Sequence, residues 1–198
     1  MVTATITSDQ DAVVAEIFIA APPERVFQAI TDPRQMPLWW GQQGLYRVTE
    51  WKADLRPGGK WQSDGVGADG TSFRVEDEYL EMDRPRLLVH TWIASYSGLL
   101  KTVMRWELES REVHGLQGPG PKKVGTGTFV RIRHEGFAGN LEQAQSHGQG
   151  WVRVLGWMQR FVEKGETVDS REPLRKTRAK AGSYLTTLCR ALPDSRSP

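Results

Sequence analysis

The stretch that decides the fold runs from residue 128 to residue 163 and reads TFVRIRHEGFAGNLEQAQSHGQGWVRVLGWMQRFVE. From Val130 onward, apolar or aromatic residues alternate with charged ones, the period of two that is typical of a half-buried β-strand. Asn140 then stands where a helix can begin, with Gln143 in the capping-box position. Beyond this cap, apolar residues recur at helical spacing. The stretch therefore predicts a strand and then a long helix, over residues 141–163, whose apolar face lies on a sheet.

The residues upstream predict a run of strands with one short helix near its start. VVAEIFIA, residues 13–20, alternates as a strand does, and APPERVFQAITD, residues 21–32, has proline in its first turn and an apolar stripe. Six later segments are rich in β-branched and aromatic residues and are separated by Gly, Pro and Asp. Six consecutive strands predict an antiparallel meander; the segments are LYRVTEWKADL, GGKWQSDGV, TSFRVEDEYLEM, PRLLVHTWIAS, TVMRWELES and GTGTFVRIRHEGF.

Composition and charge indicate one ordinary globular domain. At 198 residues, with 38% hydrophobic and 25% charged residues, the chain is long enough for one substantial core. The formal net charge of +2 gives no argument for nucleic acid or an anionic membrane, so we expect neither as a partner. Residues 164–198 hold 8 Lys+Arg and 4 Asp+Glu and form a basic tail. The alternatives for this tail are an extra helix, docking on the domain or on a partner, and solvation.

Cysteine usage and the first residues indicate the compartment. Cys189 is the single cysteine, so no internal disulfide can form. The opening MVTATITSDQDAVV lacks both the basic start and the apolar run of a signal peptide. No window approaches the roughly 18 apolar residues that a membrane span needs. We therefore expect a protein of the reducing cytoplasm.

Several motif matches do not lead to a site. GVGADG, residues 65–70, fits G-x-G-x-x-G literally, but a strand-like segment follows it in place of the helix that would bind a pyrophosphate. We interpret it as a hairpin turn. The four histidines have no paired metal-ligand spacing, and no G-x-S-x-G elbow or Ser/His/Asp triad is present. The sequence thus indicates no metal and no cofactor, and the catalytic residues, if any, stay unknown.

The order of the elements and several local strings resemble a known family. PLWWG, DLRPGGKW, YLEMDRPRLLVHTW, GTFVRIRHEGF and GWVRVLGWMQRFVE are similar to segments of the START-like (SRPBCC) superfamily, and within it to domains named after the activator of the heat-shock-protein-90 ATPase. The resemblance runs from about Val13 to Glu163. It divides the chain into an N-terminal extension over residues 1–12, a domain over 13–163 and the basic tail over 164–198.

The resemblance implies an α+β helix-grip fold, in which a curved antiparallel β-sheet wraps around a long C-terminal α-helix and two short helices close one end. Members of the superfamily use the space between sheet and helix for apolar ligands, for polyketide cyclisation, or simply fill it. Alternation predicts which side chains line this space. They are Trp61, Phe73, Val75, Leu88, His90, Trp92, Met104, Trp106, Val130, Ile132 and His134, opposed by Trp151, Leu155 and Met158, with Trp39 or Trp40 at the mouth.

The adjacent Trp39 and Trp40 raise a specific question. Neighbours on a helical turn diverge by about 100°, so we expect that both indoles cannot point into the same packed core. One hypothesis makes the pair a gate that offers one indole to a bound molecule. The other makes it a plug that anchors the short helices on the sheet. The glycine that follows, Gly41, indicates that Trp40 lies nearer the opening.

Three functions fit these observations. The first is a carrier or sensor that binds a small hydrophobic or aromatic molecule. The second is a cyclase-like or hydrolase-like enzyme, for which His90 and His134 are the interior acid–base candidates, although structural core histidines are commoner. Asp77 and Glu81 are weaker candidates, since strand-end hydrogen bonding and solvent exposure explain them. The third is a chaperone-associated interaction module; co-chaperones of that type carry a further N-terminal domain, and we expect none before Val13.

Overall fold

A computed structural model describes residues 1–115 and 122–174 of the protein. It confirms the α+β helix-grip architecture. The elements, in chain order, are β1 (Thr3–Ile6), β2 (Ala12–Ile19), α1 (Pro23–Thr31), α2 (Met36–Trp39), β3 (Gly41–Gln42), β4 (Tyr46–Ala53), β5 (Lys60–Gly67), β6 (Ser72–Asp83), β7 (Leu87–Ala94), β8 (Lys101–Gly115), β9 (Lys122–Glu135) and α3 (Leu141–Lys164).

The strands form one antiparallel nine-stranded sheet, in the order β1-β2-β9-β8-β7-β6-β5-β4-β3. The six segments from β4 to β9 are neighbours in sequence order, so the predicted meander is confirmed. β1 adds an edge strand beside β2, and the division of the chain at residues 12 and 163 stays a prediction. GVGADG lies at the β5–β6 hairpin, where Gly67 N donates to Thr71 O at 2.9 Å.

The long helix α3 begins and ends as its sequence predicts. The Asn140 side chain accepts a hydrogen bond from Gln143 N at 3.1 Å, which satisfies one of the free N–H groups of the first turn. The helix ends at Gly165, whose φ of 70° is a left-handed conformation that favours glycine. The buried face of α3 packs on β2 and β1. Its members are Ala144, Gly148, Trp151, Val154, Leu155, Trp157, Met158 and Phe161.

The two short helices close one end of the space between sheet and α3. α1 starts with Pro23 in its first turn, where a missing N–H costs nothing, and it buries the predicted apolar stripe that includes Phe27. α2 has only four residues. The Trp39 indole N–H donates to the carbonyl of Ala29 at 3.0 Å and so ties α2 to α1.

After α3 the chain returns to α2 as an irregular segment, residues 165–174, which we call the strap. Val168 N donates to Leu38 O at 2.7 Å. The guanidinium of Arg171 is buried in this segment, with only 2% of the side chain exposed, and forms an ion pair with Glu166 at 3.2 Å. The extra helix that is one alternative for the basic tail would cover residues 171–192; the described part of it, residues 171–174, is not helical, and the rest lies outside the described residues.

Candidate ligand-binding site

The residues predicted for the inner face lie between the sheet and α3. All are buried except Phe73, which is partly buried against the same core. Their role in ligand binding remains a proposal. The buried members are Trp61, Val75, Leu88, His90, Trp92, Met104, Trp106, Val130, Ile132, His134, Trp151, Leu155 and Met158, together with Trp39 and Trp40.

Side chains fill this space. Ring centroids lie 5.0 Å apart for Trp51 and Trp61 and 5.6 Å apart for Trp61 and Trp92, which are contact distances for aromatic rings. Two open hollows lie at the surface instead, one beside Lys60 on β5 and one between the start of α1 and the turn that joins β6 to β7. A ligand that takes the position of these packed rings must therefore displace a side chain.

Trp40 stands at the centre of the interior. Its ring centroid lies 5.2 Å from that of Trp39, 6.0 Å from Trp51, 6.2 Å from Trp92 and 5.9 Å from Trp151. These four partners come from α2, β4, β7 and α3. The Trp40 indole, from the segment Met36–Gly41 that we call the closing segment, thus contacts the sheet, α2 and α3.

The expectation that the two neighbouring indoles cannot share one core is wrong. Trp39 is 0% exposed and Trp40 is 5% exposed, and both belong to the same core. The reason is that α2 ends at Trp39, whereas Trp40 has extended dihedral angles of φ −85° and ψ 95°. The divergence of about 100° applies only within a helix. Because Trp40 is one residue past the helix, its side chain turns inward as well.

The backbone on both sides of Trp40 is fixed. Arg171 Nη1 donates to the carbonyl of Trp39 at 2.8 Å and also to the carbonyl of Gly41. Gly41 has φ 136°, and a Cβ added there would lie 2.5 Å from Arg47 Cα and from Tyr46 O, so only glycine fits. The Trp40 indole therefore projects inward from a segment whose backbone the strap holds in place.

His90 is a neutral, fully bonded core histidine. Its Nε2 accepts a hydrogen bond from Trp106 Nε1 at 3.3 Å. Its Nδ1 lies 3.2 Å from the carbonyl oxygen of Thr91, which only accepts, so Nδ1 carries the hydrogen. Burial lowers the pKa of His90 to about 4. Neither ring nitrogen is free to exchange a proton with a bound molecule.

His134 is held in the same way with the opposite tautomer. Trp151 Nε1 donates to its Nδ1 at 3.2 Å, so the hydrogen is on Nε2, which lies 2.7 Å from Thr102 Oγ1. The Thr102 hydroxyl in turn donates to the carbonyl of Trp92 at 3.2 Å. Burial, reinforced by the nearby ring of His147, lowers the pKa of His134 well below its usual value. The chain of bonds fixes these rings relative to α3.

Three other polar groups of the interior lack a hydrogen-bond partner in the described part of the protein. Among the described residues, no protein atom forms a hydrogen bond with the indole N–H of Trp51, the indole N–H of Trp92 or the hydroxyl of Tyr79. The three side chains are 7%, 8% and 1% exposed, respectively. Burial raises the pKa of Tyr79 to about 12, and the Trp51 indole beside its hydroxyl opposes part of that rise. Buried donors without acceptors are rare in folded proteins, so this set needs an explanation.

A second aromatic group connects Trp40 with the surface. The Tyr46 ring lies 5.8 Å from both Phe73 and Trp157, and Phe73 lies 5.9 Å from Tyr96. Tyr46, Phe73 and Tyr96 are half-buried, whereas Trp157 is fully buried. Burial raises the pKa of Tyr46 to about 12, and the neighbouring Trp40 indole opposes this rise. This group, which we call the rim, consists of Tyr46, Phe73 and Tyr96 with Trp157 beneath them, and it lies between Trp40 and the surface.

The two carboxylate candidates do not serve the interior. Asp77 Oδ2 lies 2.8 Å from Lys101 Nζ. Burial acts to raise the pKa of Asp77, but its bonds with Lys101 and Thr91 outweigh burial and lower it. Glu81 is 59% exposed at its side chain and pairs with Arg105 at 3.5 Å. Glu81 therefore has the solvent-exposed role that the sequence favoured. For Asp77 that expectation is wrong, because its side chain is only 10% exposed, in the middle of β6, and is paired with Lys101 and Lys60.

Sequence reasoning missed Trp51, Tyr79 and the rim tyrosines. Alternation from Tyr46 would turn Trp51 outward, but a β-bulge between Val48 and Glu50 shifts the register of β4 and turns it inward. No sequence signal marks that bulge. The inward position of Tyr79 could have been predicted, because Tyr79 lies four residues after Val75 on β6 and therefore on the same face of the strand.

The comparisons with known proteins agree with this architecture. Residues 20–116 match the model of a family described as Activator of Hsp90 ATPase homolog 1-like protein. Similar solved structures include a protein from Rhodobacter sphaeroides, at 18% identity and TM-score 0.63, with 82% of this chain and 97% of that chain covered. An AHSA1-like protein from Aeromonas hydrophila has 20% identity and TM-score 0.53, with 77% and 93% covered. No curated protein matches the sequence.

A further similar structure is DynU16, a protein of the dynemicin biosynthetic locus, at 21% identity and TM-score 0.58, with 82% of this chain and 50% of that chain covered. At these identities the structures show a shared fold. Together with the family match over residues 20–116, the fold supports a START-like domain of the SRPBCC superfamily. The protein is thus a domain of a ligand-binding kind.

Two further observations concern the described part of the chain. None of its helices combines the length and the apolar character that crossing a bilayer requires. Within residues 1–115 and 122–174, no three His, Cys, Asp or Glu side chains converge as ligands of a metal ion would.

Proposed function

We propose that the protein binds a small hydrophobic or aromatic molecule between the sheet and α3, in the position that the Trp40 indole occupies. The observation that carries this proposal is the set of ring contacts around Trp40. A single side chain from the closing segment touches rings of β4, β7 and α3. A flat apolar molecule in its place would make the same contacts, and large buried ring area is the main source of affinity in such sites.

In this proposal Trp40 acts as an internal competitor. With Trp40 inside, the interior is filled and the hydrophobic rings are shielded from water. With Trp40 turned toward the rim, an indole-sized space opens, lined by Trp51, Trp92 and Trp151. The apparent affinity for a ligand is then the intrinsic affinity reduced by the fraction of molecules in which Trp40 is displaced. Removing the Trp40 side chain should therefore increase affinity, because it removes the competitor.

The test measures naphthalene binding to the wild type, to Trp40→Ala and to Leu108→Ala by equilibrium dialysis. Leu108 is a buried residue of β8, opposite Val130, so its variant is a matched core truncation outside the Trp40 contacts. We expect Trp40→Ala to bind naphthalene at least tenfold more tightly than the wild type, and Leu108→Ala to bind like the wild type. Equal affinities for all three proteins, or no binding by Trp40→Ala, would exclude the proposal.

The alternative of a cyclase-like or hydrolase-like enzyme receives no support from the interior histidines. All ring nitrogens of His90 and His134 have hydrogen-bond partners within the protein. General acid–base catalysis needs a nitrogen within reach of the substrate proton.

A chaperone-associated interaction module is the second candidate, and the match of residues 20–116 to the activator family favours it. In that case the domain would recognise a protein partner by its surface and the aromatic interior would be a structural core. Pull-down of the heat-shock-protein-90 chaperone by the wild type distinguishes this candidate. Capture that Trp40→Ala retains would support the module, whereas failure to capture the chaperone would leave ligand binding as the sole candidate with support.

A further inference from the structure

The three buried groups without partners carry more hydrogen-bond donors than acceptors. An indole N–H only donates, and a tyrosine hydroxyl donates one hydrogen and accepts through oxygen. If Tyr79 shifted slightly and accepted from Trp51, the Tyr79 hydrogen and the Trp92 N–H would still lack an acceptor. No rearrangement among these three groups satisfies them all. A buried donor that stays unpaired costs free energy, so the interior is suited to a group that brings acceptors.

The position of these donors relative to Trp40 connects them to the proposed site. The Trp51 and Trp92 rings are two of the rings that pack on Trp40, at interplanar angles of 29° and 27°. An indole N–H bond lies in the plane of its ring, so its acceptor belongs at the ring edge, which for Trp51 is beside the Tyr79 hydroxyl. A molecule that replaces Trp40 and also reaches the edge of Trp51 is wider than one indole and carries an acceptor on the side of Tyr79, which belongs to β6.

The charges of the interior indicate that this molecule is neutral. Arg171 is the single charged residue among the described buried residues, and its guanidinium already binds Glu166 and backbone carbonyls. His90 and His134 are neutral because burial lowers their pKa values. A carboxylate or phosphate in this space would therefore lack a counter-ion, and an unpaired buried charge is strongly unfavourable.

We infer that the ligand is a neutral polycyclic aromatic molecule with a carbonyl-type acceptor, which Trp51, Tyr79 and Trp92 bind by hydrogen bonds at its edge. This inference rests on the proposed function and deepens it by naming the class of ligand. The aromatic rings supply affinity, and the donors select compounds that carry an acceptor. Selection arises because a hydrocarbon of the same shape would leave the three donors buried and unpaired.

The experiment compares 9-fluorenone with fluorene, two tricyclic probes of the same shape that differ by one carbonyl group. Dissociation constants are measured by equilibrium dialysis for the wild type, Tyr79→Phe, Trp51→Phe and Trp106→Phe. The readout is the ratio of the fluorene constant to the fluorenone constant within each protein, so the different hydrophobicities of the probes cancel between proteins. Trp106→Phe is the matched control, since the Trp106 N–H already donates to His90 at 3.3 Å.

We expect the ratio to fall roughly three- to tenfold in Tyr79→Phe and in Trp51→Phe and to stay at the wild-type value in Trp106→Phe, as the loss of one hydrogen bond implies. In ¹⁵N-labelled wild type, fluorenone but not fluorene should shift the Trp51 and Trp92 indole N–H signals downfield. A ratio that is the same in all four proteins would overturn the inference, because water would then satisfy the donors whichever probe is bound. Such a result leaves the proposed function intact, whereas failure of both probes to bind both the wild type and Trp40→Ala would contradict the inference and the proposed function.

Discussion

Arg171 Nη1 lies 2.8 Å from the backbone carbonyl oxygen of Trp39, and the same nitrogen donates to the carbonyl two residues further on. The guanidinium therefore fastens the strap to the peptide groups on both sides of Trp40. Two consequences follow for the molecule. The strap contributes directly to the stability of the segment Met36–Gly41, and it holds the backbone around Trp40 independently of the Trp40 side chain.

The first prediction concerns this contact. Arg171→Met keeps an apolar stem but leaves the buried carbonyls of Trp39 and Gly41 without this donor, whereas Glu166 keeps its second partner, Arg160, at 3.0 Å. We therefore expect the free energy of unfolding to fall by about 2 to 4 kcal/mol. Urea denaturation measures this loss. Arg34→Met is the matched control, because the Arg34 side chain is 88% exposed and pairs with Asp32 at the surface. A loss for Arg171→Met no greater than that for Arg34→Met would show that the strap is not anchored as described.

The second prediction separates the two neighbouring indoles. Trp39 is fully buried, donates to Ala29 O and stacks on Phe161 at 6.5 Å. Its replacement by alanine leaves a void and an unpaired carbonyl, and we expect a loss of about 3 to 5 kcal/mol in unfolding free energy. At one fixed naphthalene concentration the melting temperature of Trp40→Ala should rise more than that of Trp39→Ala, which keeps the competing Trp40 side chain. Equal behaviour of the two variants would contradict the separate roles.

The third prediction concerns Gly41. An alanine there would place Cβ 2.5 Å from backbone atoms of β4 at a φ of 136°, so the segment must shift, at a cost of about 2 to 4 kcal/mol. Gly70 is the control, because it also has a positive φ, 85°, but has no atom within 4 Å of an added Cβ. Gly70→Ala should cost only about 1 kcal/mol. Thermal unfolding of both variants measures the two losses of stability. Equal losses would mean that an added Cβ at Gly41 does not meet the backbone of β4.

The fourth prediction follows from the neutral histidines. In the unfolded chain His90 binds a proton near pH 6.5, whereas in the folded protein burial lowers its pKa to about 4. Between these values the unfolded state binds more protons, so the free energy of unfolding falls as pH falls, by up to about 1.4 kcal/mol per pH unit for this residue. Urea denaturation at several pH values from 7 to 5 measures the slope. His90→Gln should make the slope shallower, and an unchanged slope would exclude His90 as a cause.

The fold could be predicted largely from local patterns. Asn140 and Gln143 mark the start of α3 by their capping chemistry, and the alternation around Ile132 marks a strand and its inner face. Both signals are short in sequence and depend on hydrogen bonds or burial that hold wherever the segment packs. For the same reason, the list of inner-face residues agrees with their observed burial.

The centre of the site could not be predicted, because it depends on irregularities. A one-residue bulge turns Trp51 inward, and the end of α2 one residue before Trp40 changes the direction of that side chain. Arg171 binds the backbone carbonyls of Trp39 and Gly41. Every residue has such a carbonyl, so the side chains at these two positions give no sign of the contact. Such features become visible only when the register and the tertiary contacts are known.

The most direct test of the central claim is the structure of the wild-type protein with naphthalene bound, determined from intermolecular nuclear Overhauser effects to the tryptophan indoles. We predict contacts from naphthalene to Trp51, Trp92 and Trp151, together with loss of the contacts that Trp40 makes with Trp92 in the free protein. Contacts confined to surface hollows, with the Trp40–Trp92 contacts retained, would contradict the claim that a ligand takes the place of Trp40.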